Sequence, residues 1–416
     1  MATLCPSVVP AAQAQDVPST LHALWRGTDP TTSMTIQWLS ESDSTRSVGL
    51  IRTSDGTSMT VIESDVVVFG EPGVVHRHRV DYTGLAPATR YEITLDGSAT
   101  GLFIETAPAT LDEKLTFVQG GDIAVGEEVI PLHKTAAAHD PLFALLGGDM
   151  ADSEPPIEAG APDWAEFFEN WHDGMRTEDG RMIPMVAAIG NHEIDDGKAT
   201  QYFRLLDNTH REEAYWAFDI GGYLTALVLD NELHAGDGGP DGKISGAQRE
   251  WIDETLQARA DVPHTFAVMH TPPYTAVKSR RQDRSRMTRK HWVPIFEKHK
   301  VDVVFQDDDE LYARTYPLLG GKRDPDGVIY AGNGGWGEYD DRKIAGEMQG
   351  EEADDDEEMI DEKVEAALAQ FEVAKETNYV LRVDLYPDGS QDFLAFNTEG
   401  TVDQYARAAE RSGFEE

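Results

Sequence analysis

The chain has 416 residues, with 76 Asp and Glu against 35 Lys and Arg, which gives a formal net charge of -41. The length allows two or three domains with a sizeable core, and the charge makes nucleic-acid backbones and anionic membrane surfaces poor partners. A single cysteine, Cys5, excludes an intrachain disulfide, and no apolar run approaches the length of a membrane span. Such acidity suits a protein kept soluble in concentrated salt, and an ordinary acidic protein fits it nearly as well.

The N-terminal segment MATLCPSVVPAAQAQDVPS resembles the end of a signal peptide. Ala12-Gln13-Ala14 fits the small-x-small cleavage pattern, although the basic start and the long apolar stretch of a complete signal are missing. We therefore expect residues 1–17 to be the remnant of a signal peptide, and the protein to be exported to the periplasm or the extracellular space. A disordered N-terminal tail is the alternative.

Residues 18–108 are predicted to form short strands separated by turns. SMTIQW, at residues 33–38, alternates with a period of two and ends in a Trp suited to a sandwich core. Tyr91 lies at the start of the later strand EITL, where its hydroxyl can bond back to the preceding corner, as in many β-sandwiches. This region is therefore predicted to be an immunoglobulin-like or fibronectin type III-like sandwich, which is usually a structural or binding module.

From about residue 110 to 400, apolar runs alternate with amphipathic stretches such as SGAQREWIDETLQAR. Six of these runs are predicted strands: KLTFVQGGD, PLFALLGGD, MIPMVAAIGNHE, YLTALVLDNE, HTFAVMHTPPY and VDVVFQDDDE. Continuous apolar strands separated by helices predict a layered α/β domain in which helices cover both faces of the sheets. Open sheets of this kind bind ligands at the carboxyl ends of their strands.

The C-terminal part begins with the acidic segment GEEADDDEEMIDEK, at residues 350–363, which is predicted to be a surface insertion. It leads into EKVEAALAQFEVAK, predicted to be a helix. NYVLRVDLYP and QDFLAFNTEG are predicted to form a hairpin around Asp388-Gly389 that closes the sheet. Residues 401–416 are polar and predicted to be a frayed tail.

Polar side chains follow the ends of several predicted strands. In chain order they are Asp122, Asp149 and Asp152, Asn191-His192-Glu193, His270, and Asp308 and Glu310. A glycine precedes Asp122, Asp149 and Asn191, where the backbone must turn sharply and let a ligand come close. Oxygen donors and a histidine at the ends of separate parallel strands are what a metal cluster requires.

This order of motifs resembles that of the purple acid phosphatases, within the calcineurin-like metallophosphoesterases. The family pattern is GD, GDxxY, GNH, a strand-terminal His and GHxH, and the N-terminal TDPTTSMTIQW and LAPATRYEITL also resemble that family. The resemblance covers about residues 18 to 345 and the last strands. It implies that Asp149 bridges two metal ions, that Asp122 holds one, and that Asn191 and His270 hold the other. His192 would be the catalytic residue that assists the leaving group or the transition state.

Three positions depart from the family pattern. Asp152 stands where GDxxY has a metal-binding Tyr, and Asp308 and Glu310 stand where GHxH has two metal-binding His. All three replacements can still bind a metal, so we expect them to be ligands in a changed site. Side chains two residues apart in an extended segment point the same way, so we expect Asp308 and Glu310 to face the cluster, and Asp307 and Asp309 to point the other way. The alternative is that these acids form a solvated loop on an inactive homologue.

The replacements favour hard metal ions. With the tyrosine gone, the purple ferric centre of the family is not expected, and the oxygen-rich set suits two divalent cations of the Mn²⁺, Mg²⁺ or Ca²⁺ type better than iron or Zn²⁺. Five carboxylates carry -5 against +4 for two divalent ions, which leaves -1. A phosphate ester would therefore need other cations, and Arg280 and Arg281 are the expected substrate-binding residues. A solvated loop is the alternative for this pair.

The expected function is hydrolysis of a small phosphate ester by a metal-bound hydroxide. The first alternative is a weak or inactive homologue that holds Ca²⁺ or Mn²⁺ structurally and acts as an exported binding protein. The second is an exported binding module without any metal. Turnover of a chromogenic phosphate ester with added Mn²⁺ would distinguish the expected phosphoesterase from both alternatives. Metal analysis of the purified protein would distinguish the two alternatives from each other.

Overall fold

The computed structural model describes most of the chain. The described residues are 17–59, 62–69, 75–151, 153, 157–194, 200–206, 213–232, 244, 246–278, 283–337, 342–346 and 364–408. Residues 1–16, where the signal-peptide remnant is expected, and the acidic segment 350–363 lie outside this part. Within it, none of the helices combines the length and the apolar character needed to cross a membrane.

The N-terminal region consists of strands, as the alternating patterns predict. These strands are β1 (His22–Leu24), β2 (Ser33–Ser40), β3 (Ser47–Arg52), β4 (Ile62–Glu63), β5 (Asp65–Phe69), β6 (Val75–Thr83), β7 (Arg90–Leu95) and β8 (Ser98–Glu105). They form two layers, one with the order β4-β3-β7-β8 and one that contains β1-β2-β6-β5. The hydroxyl of Tyr91 accepts a hydrogen bond of 2.8 Å from the backbone N–H of Ala86, which confirms the predicted corner. The region is an all-β sandwich.

The remainder alternates strands and helices before ending in strands. The strands are β9 (Leu115–Gly120), β10 (Ala144–Leu146), β11 (Met185–Ala187), β12 (Trp216–Ile220), β13 (Leu224–Val228), β14 (His264–Val268), β15 (Val303–Gln306), β16 (Tyr312–Thr315), β17 (Leu318–Leu319), β18 (Lys322–Arg323), β19 (Ile329–Gly332), β20 (Phe371–Lys375), β21 (Val380–Leu385), β22 (Gln391–Asn397) and β23 (Gly400–Arg407). The helices are α1 (Ile130–Ala137), α2 (Ile157–Gly174), α3 (Thr200–Leu205), α4 (Ala247–Gln257), α5 (Asp283–His291) and α6 (Val293–His299). All six predicted strands are present, as is the predicted helix over SGAQREWIDETLQAR.

Two large sheets face each other in this domain. One has the order β23-β22-β21-β9-β10-β11-β1-β2-β6-β5 and the other β12-β13-β14-β15-β19-β16-β20. Their inner faces meet in an aromatic core, where the ring of Phe117 lies 4.9 Å from Phe143 and 5.7 Å from Phe266. Helices cover the outer faces, with Trp164 of α2 buried against the first sheet and Trp292, just before α6, buried against the second. The predicted layered α/β architecture is confirmed.

The first sheet runs through both regions of the chain. Strand β1 pairs antiparallel with β2 and parallel with β11, where Leu24 lies opposite Met185. One layer of the N-terminal sandwich is therefore continuous with a sheet of the α/β domain.

Two predictions near the C-terminus are wrong in part. In the described part of the stretch EKVEAALAQFEVAK, residues 364–368 are helical, whereas Phe371–Lys375 is strand β20, paired with β16. Residues 400–407 form β23 on the edge of the ten-stranded sheet and are not frayed. In both cases a neighbouring strand satisfies the backbone hydrogen bonds, which outweighs the polar character of the local sequence.

Candidate metal centre

The carboxyl ends of parallel strands from both large sheets meet at one edge of the domain. Strands β9, β10 and β11 run parallel in the first sheet, and β13, β14 and β15 run parallel in the second. Asp122 and Asp149 follow β9 and β10, Asn191 follows β11, and His270 follows β14. The layered fold thus gathers residues that are far apart in sequence.

Four predicted ligands converge around one imidazole nitrogen. The Nε2 atom of His270 lies 2.9 Å from Oδ2 of Asp149 and 3.1 Å from Oδ1 of Asn191. Ligand atoms of Asp122, Asp149 and His270 all lie within 4.8 Å of one another, and all three residues are buried. One nitrogen and several oxygens therefore face a common point.

The ring of His270 is held in the orientation that a metal ligand requires. Its Nδ1–H donates to the carbonyl oxygen of Gly147 at 3.1 Å, which leaves Nε2 directed at the carboxylates. Histidines that bind metals commonly have their other ring nitrogen fixed by a hydrogen bond of this type.

The charges at the centre are strongly coupled. Burial alone would lower the pKa of His270, but the carboxylates of Asp149, Asp122 and Asp308 raise it well above the ordinary value. Burial alone would raise the pKa of Asp149, but His270 holds it below the ordinary value. Burial raises the pKa of Asp122 far above its usual range, since the positive charge of His270 offsets only part of that cost. Without a metal ion, a proton on His270 therefore supplies part of the positive charge.

Glu193 positions the loops that carry Asp149 and Asn191. Its Oε2 accepts hydrogen bonds from the backbone N–H of Gly190 at 2.6 Å and of Asp149 at 3.0 Å, and its Oε1 accepts one from Met150 at 3.0 Å. Burial raises the pKa of this carboxyl to about 7. One side chain thus ties the end of β10 to the end of β11.

His192 lies at the opening of the centre. Its backbone N–H donates to Oδ1 of Asp149 at 2.8 Å, and its side-chain Nε2 lies 3.9 Å from Oδ2 of the same residue. The imidazole is 28% exposed, whereas that of His270 is fully buried. His192 can therefore meet a ligand that enters from solvent.

The four acids of QDDDE do not alternate as in a strand. Strand β15 ends at Gln306, and Asp308 and Glu310 have φ angles of 72° and 58°. The expectation that Asp308 and Glu310 face the cluster together, with Asp307 and Asp309 pointing away, assumed an extended backbone. The left-handed conformation at two positions gives each acid its own direction.

Asp307 lies beneath the centre, a placement that the sequence did not reveal. A Cβ atom on Gly147 would lie only 1.4 Å from its Oδ2, and one on Gly121 only 2.8 Å from its Cγ. The carboxyl receives hydrogen bonds from Gln119 Nε2 at 3.3 Å and from the backbone N–H of Gly334 at 3.0 Å. Burial raises its pKa to about 7. The glycines beside Asp122 and Asp149 thus make room for a protein carboxyl group.

Asp309 faces away from the cluster, as expected. Its carboxylate accepts from the hydroxyl of Thr275 and the backbone N–H of Ala276, both at 2.8 Å, and from Asn333 Nδ2 at 2.8 Å. Burial raises its pKa to about 6. This acid therefore has a structural role.

Asp308 lies at the edge of the cluster and carries its own cation. Its Oδ1 is 3.7 Å from His270 Nε2, but only 2.6 Å from Nζ of Lys278. The backbone N–H of Asp308 donates to Oδ2 of Asp122 at 3.0 Å. Lys278 also donates to the backbone carbonyl of Asp308 at 2.7 Å. The sequence pattern indicated Arg280 and Arg281 as the cations that follow His270. It did not indicate Lys278, which comes eight residues after His270.

Glu310 is directed to a guanidinium group. Its Oε2 and Oε1 accept from Nε and Nη2 of Arg342 at 2.9 and 2.7 Å, and its side chain is 8% exposed. The structure does not bring it into the group formed by Asp122, Asp149 and His270. The left-handed turn gives Glu310 a partner within the protein, and its role as a metal ligand stays a prediction.

The remaining expected site residues, Asp152, Arg280 and Arg281, lie outside the described residues. Among the described residues, the donor set around His270 fits one divalent cation. It combines one imidazole nitrogen of fixed orientation, the carboxylates of Asp122 and Asp149 and the amide oxygen of Asn191.

Comparison with known proteins gives two family matches. Residues 121–306 match the family model described as calcineurin-like phosphoesterase, and residues 18–106 match that of the purple acid phosphatase N-terminal domain. An uncharacterized protein of Mycobacterium tuberculosis is 27% identical over 217 residues, which is 48% of this chain and 39% of that protein. Purple acid phosphatase 21 of Arabidopsis thaliana is 24% identical over 278 residues, or 62% of this chain and 58% of the relative. The matches thus span less than two thirds of either relative.

A solved structure shows the same fold. Purple acid phosphatase PPD1 from yellow lupin (Lupinus luteus) seeds superimposes with a TM-score of 0.70 and 14% sequence identity, over 93% of this chain and 73% of that chain. At this identity the likeness concerns the fold alone.

Proposed function

We propose that the protein is a metal-dependent phosphoesterase acting on a small phosphorylated substrate, because residues 121–306 match the calcineurin-like phosphoesterase model and residues 18–106 match that of the purple acid phosphatase N-terminal domain. The observation that carries the proposal is the convergence of Asp149 and Asn191 on Nε2 of His270, with Asp122 beside them. These four residues follow the ends of four different strands, and Asp122, Asp149 and His270 are buried.

The donor chemistry favours Mn²⁺, Mg²⁺ or Ca²⁺ over iron or Zn²⁺, because His270 is the only nitrogen among the described candidate ligands. When bound, such an ion would lower the pKa of a water molecule and polarise a phosphoryl oxygen. Asp122, Asp149 and Asn191 would hold it, while Gly147 keeps the His270 ring in place.

His192 is proposed as the catalytic residue that meets the substrate. It is the more exposed imidazole of the centre, and its backbone bond to Asp149 fixes its position relative to the ligands. From there it would donate a proton to the leaving oxygen. Arg280 and Arg281 remain proposed substrate-binding residues, and export remains the proposed localisation, on the sequence pattern alone.

The test is hydrolysis of a chromogenic phosphate monoester and a chromogenic diester by protein stripped with chelator and reloaded with each divalent ion. We expect activity only after reloading, with Mn²⁺ among the best ions. Asp149→Asn should lower kcat/KM by about 100-fold or more, since it removes a central ligand. The exposed acid Asp253, which pairs with Lys298 on the surface, supplies the control Asp253→Asn. Absence of turnover with every ion and both esters refutes the proposal.

A structural metal site on an inactive homologue is the second candidate. The observation that favours it is that Asp308 and Glu310 are neutralised by Lys278 and Arg342 within the protein. In that case Mn²⁺ or Ca²⁺ would raise the melting temperature without producing turnover.

A further inference from the structure

Two ion pairs flank the candidate metal centre at the positions where the family pattern has histidine ligands. Asp308 pairs with Lys278, and Glu310 pairs with Arg342. We propose that the centre binds one metal ion, and that Lys278 and Arg342 take the place of a second ion. The inference concerns the same site as the proposed function and rests on its being a metal site, but it does not require turnover.

The Arg342 pair removes one ligand from a second metal position. Its guanidinium forms two parallel hydrogen bonds, one to each carboxylate oxygen of Glu310, so both oxygens are used. A planar pair of hydrogen bonds between a guanidinium and a carboxylate is among the stronger and more directional charged contacts in proteins. A metal ion would have to displace the guanidinium from a carboxylate that is only 8% exposed.

The Lys278 pair restricts Asp308 in a similar way. Nζ of Lys278 is bonded to both the Oδ1 and the backbone oxygen of Asp308, so the ammonium is anchored at two points. Both partners are largely buried, with 14% and 12% of their side chains exposed. A second divalent ion on Asp308 would have to approach this buried ammonium, against repulsion that solvent screens only weakly.

A single divalent ion is enough to balance the four carboxylates of the candidate cluster and its two flanking ion pairs. Asp122, Asp149, Asp308 and Glu310 carry -4, whereas one divalent ion, Lys278 and Arg342 carry +4. In the described part of the chain, each of the four consecutive acids from Asp307 to Glu310 thus has a partner within the protein. Asp308 and Glu310 have resident cations, and Asp307 and Asp309 are buried and accept hydrogen bonds from neighbouring donors.

The first experiment counts metal in the unaltered protein. Chelator-treated protein is reloaded with excess Mn²⁺, passed through a desalting column and assayed for Mn per chain, and its electron paramagnetic resonance spectrum is recorded. We expect about one Mn per chain and the six-line spectrum of an isolated ion. Two Mn per chain with an exchange-coupled spectrum would overturn the proposal, whatever the phosphatase activity.

The second experiment removes the resident cations. In Lys278→Met/Arg342→Leu the two carboxylates lose their partners, and we expect a second Mn²⁺ to bind, giving about two per chain. Lys298→Met/Arg259→Leu is a matched control, since Lys298 lies 2.6 Å from Asp253 and Arg259 makes a double contact with Asp219 of 2.9 and 2.7 Å. The control should still bind one ion. A double variant at the centre that binds one ion or none contradicts the proposed role of the two cations.

The outcomes separate this inference from the proposed function. A protein that loads one Mn²⁺ and hydrolyses no ester supports the inference and refutes the function. A protein that binds two Mn²⁺ per chain and hydrolyses esters refutes the inference and supports the proposed function. Should Lys278→Met/Arg342→Leu fail to fold, the count and spectrum of the unaltered protein still decide the number of ions.

Discussion

At the scale of single residues, the centre and its two flanking ion pairs contain acids in an uncommon backbone conformation. Asp122, Asp149, Asp308 and Glu310 have φ angles of 53°, 47°, 72° and 58°. Asp tolerates this left-handed region because its short side chain bonds locally, but Glu has little such compensation. Strain of this type persists only where the surroundings fix it, and here the partners are Glu193, Lys278 and Arg342.

Glu193→Ala should destabilise the protein by about 2–4 kcal/mol, because three buried backbone N–H groups lose their acceptor. Urea unfolding of metal-free protein measures the loss. Glu250→Ala, on the exposed face of α4, is the control and should change the unfolding free energy by less than about 0.5 kcal/mol. Equal stability of the two variants would show that Glu193 does not hold the loops together.

Gly147→Ala should cost about 3 kcal/mol, since the added methyl group would overlap the carboxyl of Asp307. In an Asp307→Gly background the same change should cost less than about 1 kcal/mol, because the obstructing group is gone. Gly222→Ala is the control, as a Cβ there meets nothing within 4 Å. Equal costs of Gly147→Ala in both backgrounds would contradict the packing of Asp307 against this glycine.

The residues of the centre could be predicted from the sequence only in part. Asp122, Asp149, Asn191 and His270 stand directly after apolar strands, and strand ends meet in a layered α/β domain. Asp307, Lys278 and Arg342 could not be placed in the same way. Their positions depend on two left-handed residues after β15 and on a contact between Glu310 and Arg342 across 32 residues of chain, which no local pattern records.

At the scale of elements, β1 and α2 join the two parts of the protein through a neutral histidine. The ring of His22 stacks on Phe168 at 4.0 Å, and its Nδ1 donates to the carbonyl of Thr20 at 2.7 Å. Burial lowers the pKa of His22 to about 3, against the raising effect of the Thr20 bond. Three-residue β1 thus packs on α2 while its backbone pairs on both sides.

This predicts a loss of stability in acid. The folded state holds His22 neutral, whereas the unfolded chain takes up a proton near pH 6.5, so the contribution is complete above that pH and declines as the pH falls towards about 3. Between pH 7 and pH 5 the loss from this residue should be about 2 kcal/mol. His22→Gln should show a correspondingly smaller loss in urea unfolding at the two pH values, and the control Gln257→Ala, at an exposed position at the end of α4, should behave as the unaltered protein. Identical pH dependence of all three would contradict the burial of a neutral His22.

Some strands could be predicted from their own sequence, whereas others are defined only by pairing with distant segments of the chain. The apolar runs predicted β9, β10, β13, β14 and β15 because both faces of these strands are covered. Strands β20 and β23 were missed because most of their residues are exposed or only partly buried, so no continuous apolar run marks them. Backbone pairing with β16 and β22 makes them strands.

At the scale of the whole molecule, the charge of -41 is the dominant electrostatic feature. Most acids repel one another across the surface, and ion pairs such as Lys298 with Asp253 compensate only locally. Self-repulsion of this size favours expansion of the chain and is reduced by dissolved salt.

The melting temperature of metal-free protein should therefore rise as KCl increases from about 0.1 M to about 1 M, over which the screening length falls from about 10 Å to about 3 Å. Differential scanning calorimetry at constant pH measures it. A parallel series in sucrose tests for general effects of excluded solutes. A flat or falling melting temperature in KCl would favour the reading as an ordinary acidic protein.

The ten-stranded sheet also determines how late in synthesis the protein can complete its folding. Strand β1 leaves the ribosome early, but one of its two neighbours, β11, begins only at Met185, and the edge of the same sheet is formed by Gly400–Arg407. Sheets assembled from such distant segments form slowly and expose unpaired edges while they wait. The nascent chain must therefore stay soluble with an unfinished sheet for most of its translation, and an abundance of negative charge in the growing chain keeps neighbouring copies apart during that interval.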